Sequence, residues 1–162
     1  MTSSISAQDI ELEAHIAWEG DDLERAFFLF RRCAELGKVE CKLDLGYFYG
    51  EGVGVEKDEE KAMFWYKRAY RRGDWAAASN IAILYREHGR HRLERQWFER
   101  AAALGDGDAE VELAKLYLEG KGTRRSEGKA MVLLNRAIRS SNIMEAGREE
   151  AAELLRKVQS AR

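Results

Sequence analysis

Apolar residues recur at three- and four-residue intervals along most of the chain, and glycines separate the runs. In Leu45-Gly46-Tyr47-Phe48-Tyr49 the first, fourth and fifth positions form one stripe at helical spacing. The same five positions return as Ile81-Ala82-Ile83-Leu84-Tyr85 and as Leu113-Ala114-Lys115-Leu116-Tyr117. Position two stays Gly or Ala, which lets a neighbouring helix approach closely. Position three runs Tyr, Ile, Lys, so it is expected to face outward.

A second column of matches follows each stripe. Gly37, Gly73 and Gly105 end the patterns RRCAELG, KRAYRRG and ERAAALG, where a glycine suits the left-handed residue after a helix. Trp65-Tyr66 maps to Trp97-Phe98, Leu133-Leu134 and, backward, Leu29-Phe30; Arg68 maps to Arg100, Arg136 and Arg32; Ala69 maps to Ala101, Ala137 and Cys33. Gly50-Glu51-Gly52-Val53-Gly54 and Gly120-Lys121-Gly122 break the chain between stripes, and Asp22, Asp58 and Ser126 stand where N-caps belong. Gly89 alone marks the turn of the shortened third unit. The pattern predicts helices near 6–18, 22–36, 39–49, 59–72, 75–87, 91–104, 107–118 and 127–140. A ninth, near 144–158, carries Ala151, Leu154, Leu155 and Val158 and is expected to cover the last apolar face. A fixed period of this size is the mark of a repeat solenoid.

These residues carry a family resemblance. Leu45, Gly46, Tyr49, Gly52, Gly54, Val55, Asp58, Lys61, Ala62, Trp65, Tyr66, Arg68 and Ala69 resemble the Sel-one-like (SLR) repeat, a relative of the tetratricopeptide repeat. Leu113, Ala114, Tyr117, Gly120, Gly122, Lys129, Ala130, Arg136 and Ala137 repeat the likeness. The third unit keeps Tyr85, Trp97 and Ala101, and the first keeps Asp22, Arg25, Ala26, Phe30 and Arg32. The resemblance implies an all-α fold. It is expected to be a right-handed α-solenoid of about four antiparallel helix pairs in a single domain over 1–162 (repeats 6–37, 38–73, 74–105 and 106–142, capping helix 143–160). It also implies an adaptor that binds proteins or peptides.

Cys33 and Cys41 are the two cysteines of the chain. Their spacing resembles that of the cysteine-rich, secreted branch of the family, where a disulfide joins successive repeats. The equivalent pairs are Ala69/Ala77 and Ala101/Ala109, so the positions equally suit two small buried residues. Both readings stand at this point.

Composition narrows the rest. The 27 Lys and Arg nearly balance 29 Asp and Glu, for a net charge of −2; nothing in that balance draws the chain to nucleic acid or to a membrane. There is no proline, in keeping with long helices. The N-terminus lacks a basic start followed by an apolar run, so a cytoplasmic protein is expected; a periplasmic or secreted one is the alternative if a leader has been removed. The Gly50-x-Gly52-x-Gly54 loop follows a helix, whereas a dinucleotide fingerprint follows a strand. His88 and His91 flank Gly89 at a helix break and do not share a face, so no metal is expected, nor a cofactor. No catalytic constellation is present, and the many carboxylates are expected at solvated helix positions. The aromatic run Phe64, Trp65, Tyr66, Tyr70, Trp97, Phe98 is expected in the core; Trp18 and Trp75 do not recur, which leaves one of them as a candidate exposed anchor.

In helix-pair solenoids the first helices line the concave face. The candidate partner-binding column is therefore Glu40, Asp44, Tyr47, Asn80, Ile83, Glu87, Asp108, Glu112 and Lys115. It is mildly acidic and suits a basic or amphipathic peptide. The second helices are basic, and no exposed aromatics are expected among their arginines, so nucleic acid is not the expected ligand. The expected function is non-enzymatic protein binding by a monomer or weak dimer. The alternatives are a dedicated immunity or chaperone-like partner of a secreted bacterial effector, and a small-molecule hydrolase like some cysteine-rich relatives.

Overall fold

The computed structural model describes residues 6–160, which form helices joined by short turns. In chain order they are α1 (Ala7–Glu19), α2 (Leu23–Glu35), α3 (Val39–Glu51), α4 (Glu59–Tyr70), α5 (Trp75–Glu87), α6 (His91–Ala103), α7 (Gly107–Glu119), α8 (Glu127–Arg139) and α9 (Glu145–Ser160). Each expected helix is present, with ends displaced by at most a few residues.

The ends fall where local chemistry puts them. Asp22, Asp58 and Ser126 accept hydrogen bonds from the backbone N–H of Arg25, Lys61 and Lys129, so each satisfies one of the donors a helix start leaves unpaired. Gly37, Gly73 and Gly105 all have positive φ. In the shortened third turn Gly89 does the same with φ 66°, and Arg90 precedes α6 without a side-chain cap.

The chain divides into two compact units, Met1–Ala77 and Ala78–Arg162. In the first, α1 pairs with α2, α2 with α3 and α3 with α4. Its core holds Ile10, Ala14, Ala26, Phe30, Cys33, Cys41, Leu45 and Phe48, flanked by Trp18, Phe27, Tyr49 and Trp65. Full burial of Phe30 or Phe48 contributes about 2–3 kcal/mol each. The alanines and Gly46 set the spacing: the Gly46 backbone lies against the Tyr66 ring, which a β-carbon there would meet at 2.5 Å. Cys33 and Cys41 form a disulfide, with Cα atoms 5.8 Å apart.

In the second unit α7 packs on α6 and α8, and α9 packs on α8 and α7. Val111, Ala114, Ala130, Leu134, Ala137 and Ala151 form a core, with Tyr117, Leu133, Leu154 and Leu155 against it. The connection into α9 is fixed by polar contacts. Gly107 N–H donates to Asn142 O at 2.8 Å, and Met144 N–H donates to Asp108 Oδ2 at 3.0 Å. The Arg148 guanidinium donates to the carbonyls of Ile138 and Ser140.

Several expectations about side chains fail. Phe64 is 50% exposed while Tyr66 is buried and Trp65 packs at the edge of the core, because neighbours on a helix point about 100° apart and three successive aromatics cannot all face inward. The expectation that carboxylates sit in solvent fails for Glu94, Asp106 and Glu110, all buried. Each finds a partner: Arg86 and His91 for Glu94, Ser79 for Asp106, Arg136 for Glu110. Nor is the basic side free of exposed aromatics. Phe28 and Phe64 are exposed, with the guanidinium groups of Arg31 and Arg68 over their rings. Among the described residues no helix is long and apolar enough to cross a membrane.

Candidate partner-binding surface

In the first unit the helices α1 and α3 carry the outward column. Periodicity buries Ile10, Ala14 and Ala17 on α1 and Cys41, Leu45 and Phe48 on α3. The positions between these stripes are left for Glu11, His15 and Trp18 on one helix and Glu40, Asp44 and Tyr47 on the other. Glu40 is exposed and Tyr47 is 40% exposed. The Tyr47 ring lies 5.6 Å from that of Trp18, which itself packs edge-on against Phe30 and Phe48. Trp18 is thus a partly buried support for Tyr47 rather than an exposed anchor, whereas Trp75 is 39% exposed.

Asp44 does not point freely into solvent as expected. Its side chain is only 19% exposed, and its nearest basic group is His15, with Nε2 at 3.7 Å from Oδ2. Burial pushes the Asp44 carboxyl up to about 6; His15 opposes this, and Glu11, Asp74 and Glu40 add to it. His15, a residue that nothing in the sequence pattern singles out, is therefore central: it stands between Trp18, Phe30 and Asp44.

The raised Asp44 carboxyl makes a stability prediction with a definite sign. The folded state binds a proton here more tightly than the unfolded chain, whose aspartates titrate near about 4. Stability is therefore lost as pH rises from about 4 through about 6, and at neutral pH the ionised group costs about 2–3 kcal/mol. Asp44→Asn is expected to stabilise the protein by about 1–3 kcal/mol at pH 7 and to give no gain near pH 4. Urea unfolding of both proteins at the two pH values checks this; equal stability at pH 7 would contradict it.

In the second unit the column is largely engaged within the unit. Ile83 is 41% exposed, Glu87 is exposed and Asn80 is half-buried. Asp108 is taken up by the Met144 N–H. Glu112 pairs with Arg86 and with Lys115 Nζ at 2.5 Å, and Lys115 reaches Glu150 at 3.0 Å. Burial works against the charges of Lys115 and Arg86, but hydrogen bonds and nearby carboxylates hold both above their ordinary values. Arg86 also donates to the buried Glu94 at 2.5 Å, whose other oxygen lies 2.8 Å from His91 Nδ1. These groups line a cavity of about 250 Å³. Its lining joins cations to carboxylates: Arg86 to Glu94 and Glu112, His91 to Glu94, and Lys115 to Glu112. Among the described residues no cluster of three or more His, Cys, Asp or Glu is arranged to hold a metal ion.

Comparison with known proteins places this geometry in a family. The profile of the Sel1 repeat matches residues 19–38, 39–74, 95–106 and 107–142, more than half of the chain. The interrupted third match falls on the unit that lacks the loop glycines. An uncharacterized protein of Neisseria meningitidis is 32% identical over 110 residues, 68% of this chain and 23% of its own length. A chitin synthase regulator of Saccharomyces cerevisiae is 31% identical over 109 residues, 60% of this chain and 16% of that protein. An exopolysaccharide production negative regulator of Rhizobium leguminosarum is 24% identical over 144 residues, 78% of this chain and 54% of that protein. The chain thus spans only part of each of these relatives. The crystal structure of a Sel1 repeat protein from Oxalobacter formigenes aligns with a TM-score of 0.82 at 21% identity, over 94% of this chain and 63% of that one. A protective antigen of uropathogenic Escherichia coli with an SLR fold aligns with a TM-score of 0.77 at 21% identity, over 97% of this chain and 38% of that one. The helix-pair repeat fold is therefore shared with solved members, and such repeats generally mediate protein–protein interaction. By its repeat profile, its fold and its register of packing residues, this chain belongs to the Sel1 repeat family.

Proposed function

We propose that the protein is a non-enzymatic adaptor that binds a protein or peptide partner through the outward faces of its first helices. These are α1 and α3 in the first unit and α5 and α7 in the second. One observation carries the reading. At the register position that Lys115 fills in the last repeat, the chain sets Tyr47 and Ile83, each about two-fifths exposed. Exposed large side chains on an otherwise polar face are the anchors on which protein interfaces are built. Two relatives, a regulator of chitin synthase and a negative regulator of exopolysaccharide production, agree with an adaptor. The disulfide between Cys33 and Cys41 supports the periplasmic or secreted alternative over the cytoplasmic one, because such bonds persist in oxidising compartments.

Photo-crosslinking tests the surface. A benzophenone amino acid is placed singly at Tyr47, Ile83, Phe28 or Phe64, and the protein is irradiated in an extract of its source organism. The expected result is a shared adduct from positions 47 and 83 that is absent from 28 and 64. Adducts confined to 28 and 64, or none at 47 and 83, overturn the reading.

A further inference from the structure

We propose that the α1–α3 face of the first unit docks a basic segment of its partner, seating a lysine or arginine side chain beside Asp44 and Glu40 against the Tyr47 ring. The inference rests on the adaptor reading above and names the chemistry of the occupant.

The charge distribution on this face is one-sided. Helix α1 brings Glu11 to this face and has no Lys or Arg along its length; α3 carries Glu40, Asp44 and Glu51 against the single Lys42, while Glu13 pairs with Arg25 of α2 and Asp9 with the Ser6 cap. Lys42 is no counterweight, because it is buried and its Nζ donates to Gly37 O at 2.7 Å. Lys38 is committed to Glu11 at 2.8 Å. Among the described residues the ion-pair partner of Asp44 is His15 at 3.7 Å, and Glu40 acts on Lys38 only through space, since the Lys38 ammonium is bonded to Glu11.

The second unit shows what the fold does when it supplies its own cations. Glu112 occupies the register position of Asp44. It is held by Arg86 and Lys115, and Lys115 itself stands at the register position of Tyr47. Where the second unit has an ammonium, the first has an aromatic face. An aromatic ring one helical turn from a carboxylate is a receptor for a cation, through the ring face on one side and charge pairing on the other. Burial raises the Asp44 carboxyl, and the neighbouring carboxylates of Glu11, Asp74 and Glu40 add to the rise. A docked lysine or arginine would complete in the first unit the pairing that the second already has.

The test uses the intact protein and three fluorescein-labelled amphipathic peptides of one length, built from Lys and Leu, Gln and Leu, or Glu and Leu. Fluorescence anisotropy is expected to show the Lys peptide binding at least about tenfold more tightly than the Gln peptide. The Glu peptide is expected to bind more weakly than either. Glu40→Gln/Asp44→Asn is expected to erase the preference for Lys, while Glu60→Gln, on exposed α4 surface, keeps it. The double variant removes charge repulsion and so should stay folded, which far-UV circular dichroism verifies. Equal binding of the Lys and Gln peptides overturns the inference, as does a double variant that keeps the preference. In either case an adduct at position 47 leaves the adaptor reading intact; loss of the adducts at 47 and 83 removes both.

Discussion

Gly54→Ala is expected to cost about 2–5 kcal/mol, a sizeable share of the total stability of a domain this size. Gly54 has φ 62°, and a β-carbon there would lie 2.2 Å from Leu23 O, 2.5 Å from its carbonyl carbon and 3.0 Å from Glu24 N. Two penalties add. The left-handed backbone costs a residue with a side chain about 1–2 kcal/mol. The clash then adds an overpacking cost of about 1–3 kcal/mol, because the atoms it meets are backbone of the first turn of α2 and have no rotamer to yield. Gly122 repeats the arrangement in the second unit, with φ 64° and a β-carbon position 2.2 Å from His91 O. The loop glycines of the repeat thus serve the contact with an earlier helix as much as their own turn. Gly128→Ala is the control: it is an exposed helical position with nothing near its β-carbon site, and there alanine should stabilise by up to about 1 kcal/mol. Guanidinium unfolding of the three proteins decides the matter. A Gly54→Ala protein within about 1 kcal/mol of the parent would show that the loop is not clamped.

The second large effect is expected from the disulfide. Cys33→Ala/Cys41→Ala should lower stability by about 2–3 kcal/mol, the unfolded-state entropy released when a loop of this size is opened. The choice of alanine isolates the cross-link. The register equivalents Ala69 and Ala77 are fully buried alanines, so the repeat accepts that side chain at both positions. Reducing the parent protein should reproduce the loss, and reductant should leave the double variant unchanged. A double variant as stable as the oxidised parent would mean that the bond constrains nothing the fold does not already hold.

The helices were legible because everything that specifies them is local. A stripe of period 3.6, an Asp or Ser before it and a glycine after it lie within one segment, and Asp22, Asp58 and Ser126 perform the caps read for them. The surface was less legible because its chemistry depends on pairs far apart in sequence. Glu94 looks like any solvated helix carboxylate until Arg86 is known to fold over it. In the sequence Asp108 looks like an open contact residue, yet its partner, the Met144 N–H, lies 36 residues away. His15 gave no signal alone; its meaning comes from Asp44 on another helix. Phe64 was misplaced for a different reason: a run of three aromatics suggests a core, but a helix can turn only part of such a run inward. The cysteines stayed ambiguous because a disulfide and a pair of small buried residues make the same demand on sequence.

The two units are braced by different chemistry although they are copies of one repeat. The first is cross-linked by sulfur, while the second is tied by the linked charges of Arg86, Glu94, Glu112, Lys115 and Glu150. A thiol reagent has purchase on one and none on the other, and concentrated salt weakens the second set of ties by screening while leaving the covalent one untouched. The same chain therefore carries a reducible handle in one half and a network of charges in the other.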